Sequence, residues 1–384
     1  MTKPSAVMCA HLDSCIELHT ITKQLEENLT VAGLIWWISV LKEHIDTAFL
    51  NRIIMQIRQF AVDKKQDLSN IKLVVNDTVD KEKLTYTSDI QIHVVNFYRM
   101  VTYYHKYHAL CPDNPHTINQ QFNTRYRNDK NSALFLVGKP DHPHRTPVLI
   151  ELINRGIKDK LTYSWYPGRP GSKLFNRVMH IMRTHGCTEN IEDLARLHES
   201  SLDIPQDVPV FNMEETSFHY TGFPFDVSLY QNTSLSIVSE TECNSDSIPH
   251  LAWTSEKIWK AIANHHPFVL AGDSSIITKL RMLGYETWDA YLKHDQHYAN
   301  MSWEDHNAVS VKRAVDNVEH FLNSSHCGNQ ISELAKENSN LMDKHTRKEI
   351  SDVFDNDLRL FESFMKHSRY PNLDNEKSIC FSNQ

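Results

Sequence analysis

The chain has 384 residues, of which 40% are hydrophobic and 23% charged; that is enough for two domains with cores of their own and excludes disorder throughout. A formal net charge of −8 leaves no basic excess, so nucleic acid is not an expected partner. Seven cysteines without a C-x-x-C pair argue against a disulfide framework or zinc ribbon. The opening MTKPSAVMCAHLDSC lacks a basic segment followed by an apolar one, and the two features together predict a cytoplasmic protein.

Between residues 31 and 60, Leu34, Trp37, Ile38, Leu41, Ile45, Ala48, Phe49, Ile53 and Ile57 recur at spacings of three and four, which predicts helix. The most apolar window, Val31 to Leu41, has 11 residues, well short of the roughly 20 that cross hydrocarbon. A buried helix is expected there, and no membrane span. Lys72 to Asn76 reads as a short buried strand. Ile90 to His108 mixes β-branched and aromatic residues without a clean period and stays open between strand and helix. Cys111 to Lys130, polar and rich in turn formers, reads as a linker.

From Ala133 on, short apolar runs alternate with amphipathic ones. Strands are expected at Ala133 to Val137, Leu161 to Trp165, Leu235 to Glu240 and Pro267 to Ala271. Between them fall helices at His144 to Asn154, with Pro147 in its first turn and Gly156 past its end, at Thr254 to Asn264, and at Ser274 to Leu283 with Gly284 as its stop. Two more helices are read at Trp303 to Leu322, with Val309, Ala314, Val315, Val318 and Leu322 inward, and at Lys348 to Phe364. Such alternation implies an α/β fold with a doubly wound parallel sheet. The boundaries that follow are an N-terminal α/β lobe over 1–130, a Rossmann-like lobe over 131–325 and a helical C-terminal tail over 326–384.

The richest stretch for chemistry is Trp253 to Gly272. Glu256 and Lys257 begin a helix beyond the carboxyl end of a strand, where open α/β sheets bind ligands. Free N–H groups and the positive end of the helix dipole would suit a pyrophosphate there. The same residues are also consistent with a capped amphipathic helix, with Thr254 or Ser255 as N-cap and Ile258 and Ile262 inward. Glu240, at the end of LSIVSE, is a further polar candidate on the same crevice. The chain has 23 histidines but no H-E-x-x-H, and Asp355-Asn356-Asp357 spells D-x-D inside a charged helical segment, so no metal site is expected. No Gly-rich dinucleotide, P-loop or nucleophile-elbow motif is present.

Trp253 to Gly272 resembles the donor-binding motif of α1,3-fucosyltransferases, of the form Y-V/I-T-E-K followed by A, P-V and G. Thr254 or Ser255, Glu256, Lys257, Ala261, Pro267, Val269 and Gly272 match it. Trp253 in place of Tyr, and His265-His266 before the proline, depart from it. Leu134 to Arg145 looks like the first strand, loop and helix of the same donor domain, and residues 133–322 are similar to uncharacterised phage and bacterial glycosyltransferase-like proteins. The resemblance covers about half the chain. It implies a GT-B architecture of two Rossmann-like lobes and a metal-independent glycosyltransferase without cofactor, moving a sugar from a nucleoside diphosphate sugar to an acceptor hydroxyl of a glycan or other molecule. It also implies that Arg145 and Lys257 stabilise the departing diphosphate, that Glu256 binds the ribose, and that Ser255 and Gly272 belong to the donor site, to which Glu240 is added by its position. The acceptor-side base, for which Asp46, Asp77 and Asp89 are the first-lobe carboxylates considered, is not identified. A catalytically silent nucleotide- or sugar-binding assembly protein on the same fold is the alternative.

Overall fold

The computed structural model describes residues 6–12, 18–29, 34–40, 47–85, 89–108, 131–137, 140–165, 171–185, 227–240, 249–293, 303–324, 328–355, 357, 360–361, 364–365 and 379–381. It is an α/β protein with two parallel sheets, each in its own compact unit. The first unit comprises residues 1–108, 217–222 and 343–384, and the second 109–216 and 223–342. The expected linker at Cys111 to Lys130 lies outside the described residues.

In the first unit, β1 (Ala6–Leu12), β2 (Ile35–Val40), β3 (Ile71–Asn76) and β4 (Gln91–Val95) run parallel, and β9 (Ile379–Phe381) pairs antiparallel with β1. The helices are α1 (Leu18–Asn28), α2 (Thr47–Asp63) and α3 (Phe97–His108). The continuous helix expected over 31–60 is therefore wrong in its first half, because Trp36 to Val40 form a strand. Strand residues alternate in the core they serve: Trp36, Ile38 and Val40 join Ile21, Leu25, Ile53 and Ile57 of α1 and α2, whereas Trp37 joins Val95, Met100 and Phe354. With both faces buried, the strand is apolar throughout, and its run satisfies helical spacing equally well. The helical reading holds for α2, where Leu50, Ile53, Ile54, Ile57, Phe60 and Ala61 are buried. The open segment resolves into β4 followed by α3. Asn96 ends the strand and caps the helix, its Oδ1 accepting from Arg99 N at 2.9 Å.

The second unit holds β5 (Ala133–Val137), β6 (Leu161–Trp165), β7 (Leu235–Ser239) and β8 (Phe268–Ala271), all parallel in the order β6-β5-β7-β8. Its helices are α4 (Arg145–Asn154), α5 (Lys173–Thr184), α6 (Val227–Gln231), α7 (Glu256–Ala263), α8 (Ser275–Met282) and α9 (Trp303–Asn323). The four strands fall where the sequence places them. Gly156 and Gly284, at φ +73° and +84°, supply the left-handed residues that end α4 and α8. Along α9, Val311, Ala314, Val315, Val318, Phe321 and Leu322 are buried. Arg155, just past α4, fastens it to α9 through Asp316 at 2.8 Å and Glu319 at 2.7 Å.

Helix α10 (Gly328–Phe354) is longer than the expected Lys348 to Phe364 and ends ten residues earlier. Its first half is too polar for a strong apolar stripe, which hid its start. At its end Asp355 turns to φ +52°. Residues up to Met342 belong to the second unit and those from Asp343 to the first, so the tail expected over 326–384 is shared between the two. Within the first unit, Arg99 binds Glu349 at 2.6 Å, Lys106 binds Asp343 at 3.0 Å, and Lys72 Nζ donates to Val353 O at 3.0 Å. A cation at a helix C-terminus meets the negative end of its dipole. Among the described residues no helix is long and apolar enough to cross a membrane.

Candidate functional site

The order of the second sheet decides where its crevice lies. The chain steps from β5 outward to β6, then returns across β5 to β7 and continues to β8, so the carboxyl ends of β5 and β7 form the topological switch point at which such sheets bind ligands. After β5 the chain reaches His144 and Arg145 at the start of α4. After β7 it reaches Glu240 and then Ser255, Glu256 and Lys257 at the start of α7.

These residues meet. The His144 imidazole Nε2 lies 2.8 Å from the backbone oxygen of Glu240, to which it donates, and Glu240 Oε1 accepts the backbone N–H of Ser255 at 3.1 Å. Glu240 is fully buried and His144 is 1% exposed. Glu240 Oε2 and His144 Nδ1 have no hydrogen-bond partner among the described residues. Burial and the neighbouring Arg145 charge hold the His144 pKa down at about 3, with Lys257 contributing in the same direction, so this imidazole is neutral at physiological pH. Both cations thus act on one side chain. Burial raises the Glu240 carboxyl above its usual range, and Lys257 opposes that rise. Burial would also raise Glu256, but Lys257 and Lys260 outweigh it and bring Glu256 to about 2.

Ser255, not Thr254, is the N-cap of α7: its Oγ accepts Lys257 N at 3.3 Å. The expectation of free N–H groups at this terminus needs correction. Ser255 N is taken by Glu240 and Lys257 N by Ser255 Oγ. The cation available at this point is the Lys257 ammonium, 24% exposed, whose Nζ lies 3.2 Å from both Ser255 Oγ and Glu256 Oε1. Ile258 and Ile262 are inward as expected, but burial extends over the whole stretch Ile258 to Ala263, and Trp259 packs edge-on against Tyr285 at 5.5 Å.

Comparison with protein-family models, curated proteins and solved structures finds no match. The residues must speak for themselves. Arg145, Glu240, Ser255, Glu256 and Lys257 lie about the switch point, with Arg145 only 2% exposed. Gly272 stands apart at the end of β8, and its carbonyl accepts from Ser310 Oγ at 3.2 Å and Arg313 Nη2 at 3.0 Å; it anchors α9. His144 was missed, because its role depends on a carbonyl 96 positions away and only a His at the start of a crevice helix hints at it.

The remaining candidates have structural partners. His266 is buried between Ser236 Oγ, 2.6 Å from Nδ1, and Thr233 O, 2.8 Å from Nε2, and burial lowers its pKa to about 4. Asp355 of the D-x-D pairs with Lys72 at 3.2 Å, and Asp357 caps the short turn at Leu360. Asn356 and Asp46 lie outside the described residues. Asp77 accepts from Asn96 Nδ2 at 2.8 Å, and Asp89 pairs with Arg58 at 2.8 Å. Among the described residues no three His, Cys, Asp or Glu side chains cluster to hold a metal ion.

Proposed function

We propose that the second unit binds a nucleoside diphosphate sugar and that the protein is a metal-independent glycosyltransferase of the two-lobed GT-B kind, acting on an acceptor hydroxyl. The observation that carries this reading is that Glu240, at the switch point of a parallel sheet, joins His144 at the start of α4 to Ser255 at the start of α7, which places Lys257 beside the carboxyl end of β7. Lys257, whose ammonium is 24% exposed, presents its positive charge to a ligand that is itself a dianion or more. Departure of a nucleoside diphosphate builds negative charge on the β-phosphate, and a positioned ammonium stabilises that charge most in the transition state. When a ligand binds, Lys257 exchanges its contact with Glu256 for the diphosphate, and Glu256 becomes free to accept hydrogen bonds from a ribose diol.

Titration calorimetry with UDP, GDP, CDP and ADP tests the binding step, and transfer or slow hydrolysis of the matching sugar nucleotide tests the chemistry. Lys257→Ala is expected to lower turnover by about 10² to 10³ while leaving the melting temperature near that of the wild type, because the side chain is partly exposed and its carboxylate partner remains solvated. Wild-type turnover in this variant, or no binding of any nucleoside diphosphate, would refute the proposal. Tight binding of one nucleotide without any transfer or hydrolysis would instead identify a silent binding protein on the same fold.

A further inference from the structure

We infer that the buried Glu240 carboxylate takes up a proton when an anion engages the Lys257 ammonium, which makes anion binding at the start of α7 proton-linked. The inference rests on the proposed nucleotide site, but it requires only that an anionic group meets Lys257. Glu240 itself touches no ligand.

Two contacts through Ser255 relate the residues. Glu240 Oε1 accepts Ser255 N at 3.1 Å, and the hydroxyl of the same serine lies 3.2 Å from Lys257 Nζ. Glu240 Oε2 is buried and has no hydrogen-bond partner among the described residues, so that oxygen stands open to a proton. A carboxylate with no exposed surface and one bare oxygen keeps its charge only while a cation compensates it. Lys257 is that cation: burial raises the Glu240 pKa, Lys257 opposes the rise most, and Glu256 adds to it.

The other ionisable groups about this end of the sheet are His142, His144 and Arg145 at the approach to α4, Lys260 on α7, and Asp273 and Arg313 beside the end of β8. His144 is neutral and turns its Nε2 to the Glu240 carbonyl. Asp273 accepts Ser275 N at 2.8 Å, and Arg313 Nη2 donates to Gly272 O at 3.0 Å. A ligand anion beside Lys257 cancels the field on which the Glu240 charge depends and adds negative charge of its own. Glu256, 30% exposed, keeps its charge in contact with water. Glu240 has no such contact, and protonation removes the like-charge repulsion. A group whose pKa rises on binding takes up protons, so the anion binds more tightly as pH falls through the interval between the two pKa values.

Calorimetric titrations in buffers of different ionisation enthalpy count the protons exchanged per anion bound. The ligands are nucleoside diphosphates, inorganic pyrophosphate and sulfate, the last of which does not itself titrate between pH 5 and 8.5. Within that range the wild type should take up on the order of half a proton or more per anion. Glu240→Gln keeps an oxygen for the Ser255 N–H and has no proton to gain; any uptake left in it belongs to His142 and other groups. This variant should bind the anion about threefold to tenfold more tightly than the wild type at pH 8 and about equally at pH 5.5. Weaker binding in Glu240→Gln at pH 8 would show a direct ligand contact and overturn the inference, as would equal proton uptake in the two proteins. Should the variant fail to fold, infrared difference spectra of the wild type decide: a protonated-carboxyl stretch appearing with the anion supports the linkage, and its absence overturns it. If a nucleoside diphosphate binds without proton uptake, the nucleotide site stands and the linkage falls. If pyrophosphate or sulfate binds with uptake and no nucleotide binds, the linkage stands and the nucleotide reading falls. If none of the three binds, both fall.

Discussion

The two units are built from the same parts and differ in the order in which the chain lays them down. In the first, β1 to β4 add one after another in a single direction across the sheet. In the second, the return across β5 makes the ends of β5 and β7 a switch point flanked by the starts of α4 and α7. Polar groups gather at the carboxyl ends of both sheets, but to different ends. In the first unit Asp77, Asn96, Arg99 and Glu349 bind one another and secure α10. In the second, Glu240 ties His144, just before α4, to Ser255, whose hydroxyl lies 3.2 Å from Lys257 Nζ. A depression at the opposite, amino-terminal end of the first sheet is lined by Gln66, Asp67, Ser69, Asp89 and Gln91. Strand order, more than composition, separates the structural network of the first unit from the proposed binding site of the second.

That contrast can be broken most severely at Arg99. Removing one member of a buried ion pair strands the other, so Arg99→Ala should destabilise the first unit by about 3–5 kcal/mol, read as a lower urea midpoint. Nucleotide affinity measured well below the melting temperature should stay near wild type. A loss of affinity with no loss of stability would mean that the first-unit network serves the ligand after all.

A somewhat smaller effect should come from acid, and it belongs to the second unit. His266 has a folded pKa of about 4 against about 6.5 unfolded. The unfolded chain therefore takes up a proton first as pH falls. The stability this imidazole contributes by staying neutral is complete above pH 6.5, declines between 6.5 and 4, and is lost below 4. The decline amounts to on the order of 3 kcal/mol. Denaturant titrations at pH 7 and 4.5 should show it in the wild type and show much less of it in His266→Gln. Equal acid sensitivity in the two proteins would count against the buried neutral imidazole.

The smallest effect is expected at Asp89, whose partner Arg58 is 27% exposed and which is itself 45% exposed. Asp89→Asn should cost less than about 1 kcal/mol and leave transfer unchanged, because the residue stands at the wrong end of its sheet to act as the base. A large drop in turnover would reopen the first unit as the source of that group.

Legibility in the sequence followed the same division. The second unit could be read strand by strand because each strand is a short apolar run and its helices carry their own stops, as at Gly156 and Gly284. In the first unit, β2 was disguised by being buried on both faces: Leu34, Trp37, Ile38 and Leu41 satisfy a helical period as readily as a strand. Side chains that begin helices beyond strand ends, Arg145 and Lys257 among them, could be nominated locally. What those side chains do with their neighbours could not. The occupied N–H groups of α7 depend on Glu240 15 positions upstream, and the Arg99 to Glu349 pair spans 250 positions, separations across which no local pattern carries information.

Helix α10 has a consequence for the order of events during synthesis. It holds 27 residues, about 40 Å at 1.5 Å each, and its last turns together with residues 360–361 and 364–365 complete the core of the first unit through Phe354, Phe361 and Phe364. Strand β9, which covers the outer edge of β1, comes later still. The unit that leaves the ribosome first is therefore the one finished last: Trp37 waits for Phe354, and β1 for a partner encoded more than 360 positions downstream. Contacts of such sequence separation form slowly, and an uncovered strand edge invites pairing with other chains. During that interval the second unit, whose sheet closes entirely within residues 133–271, can already have assembled, leaving the nascent first unit as the part of the chain most in need of protection from its neighbours.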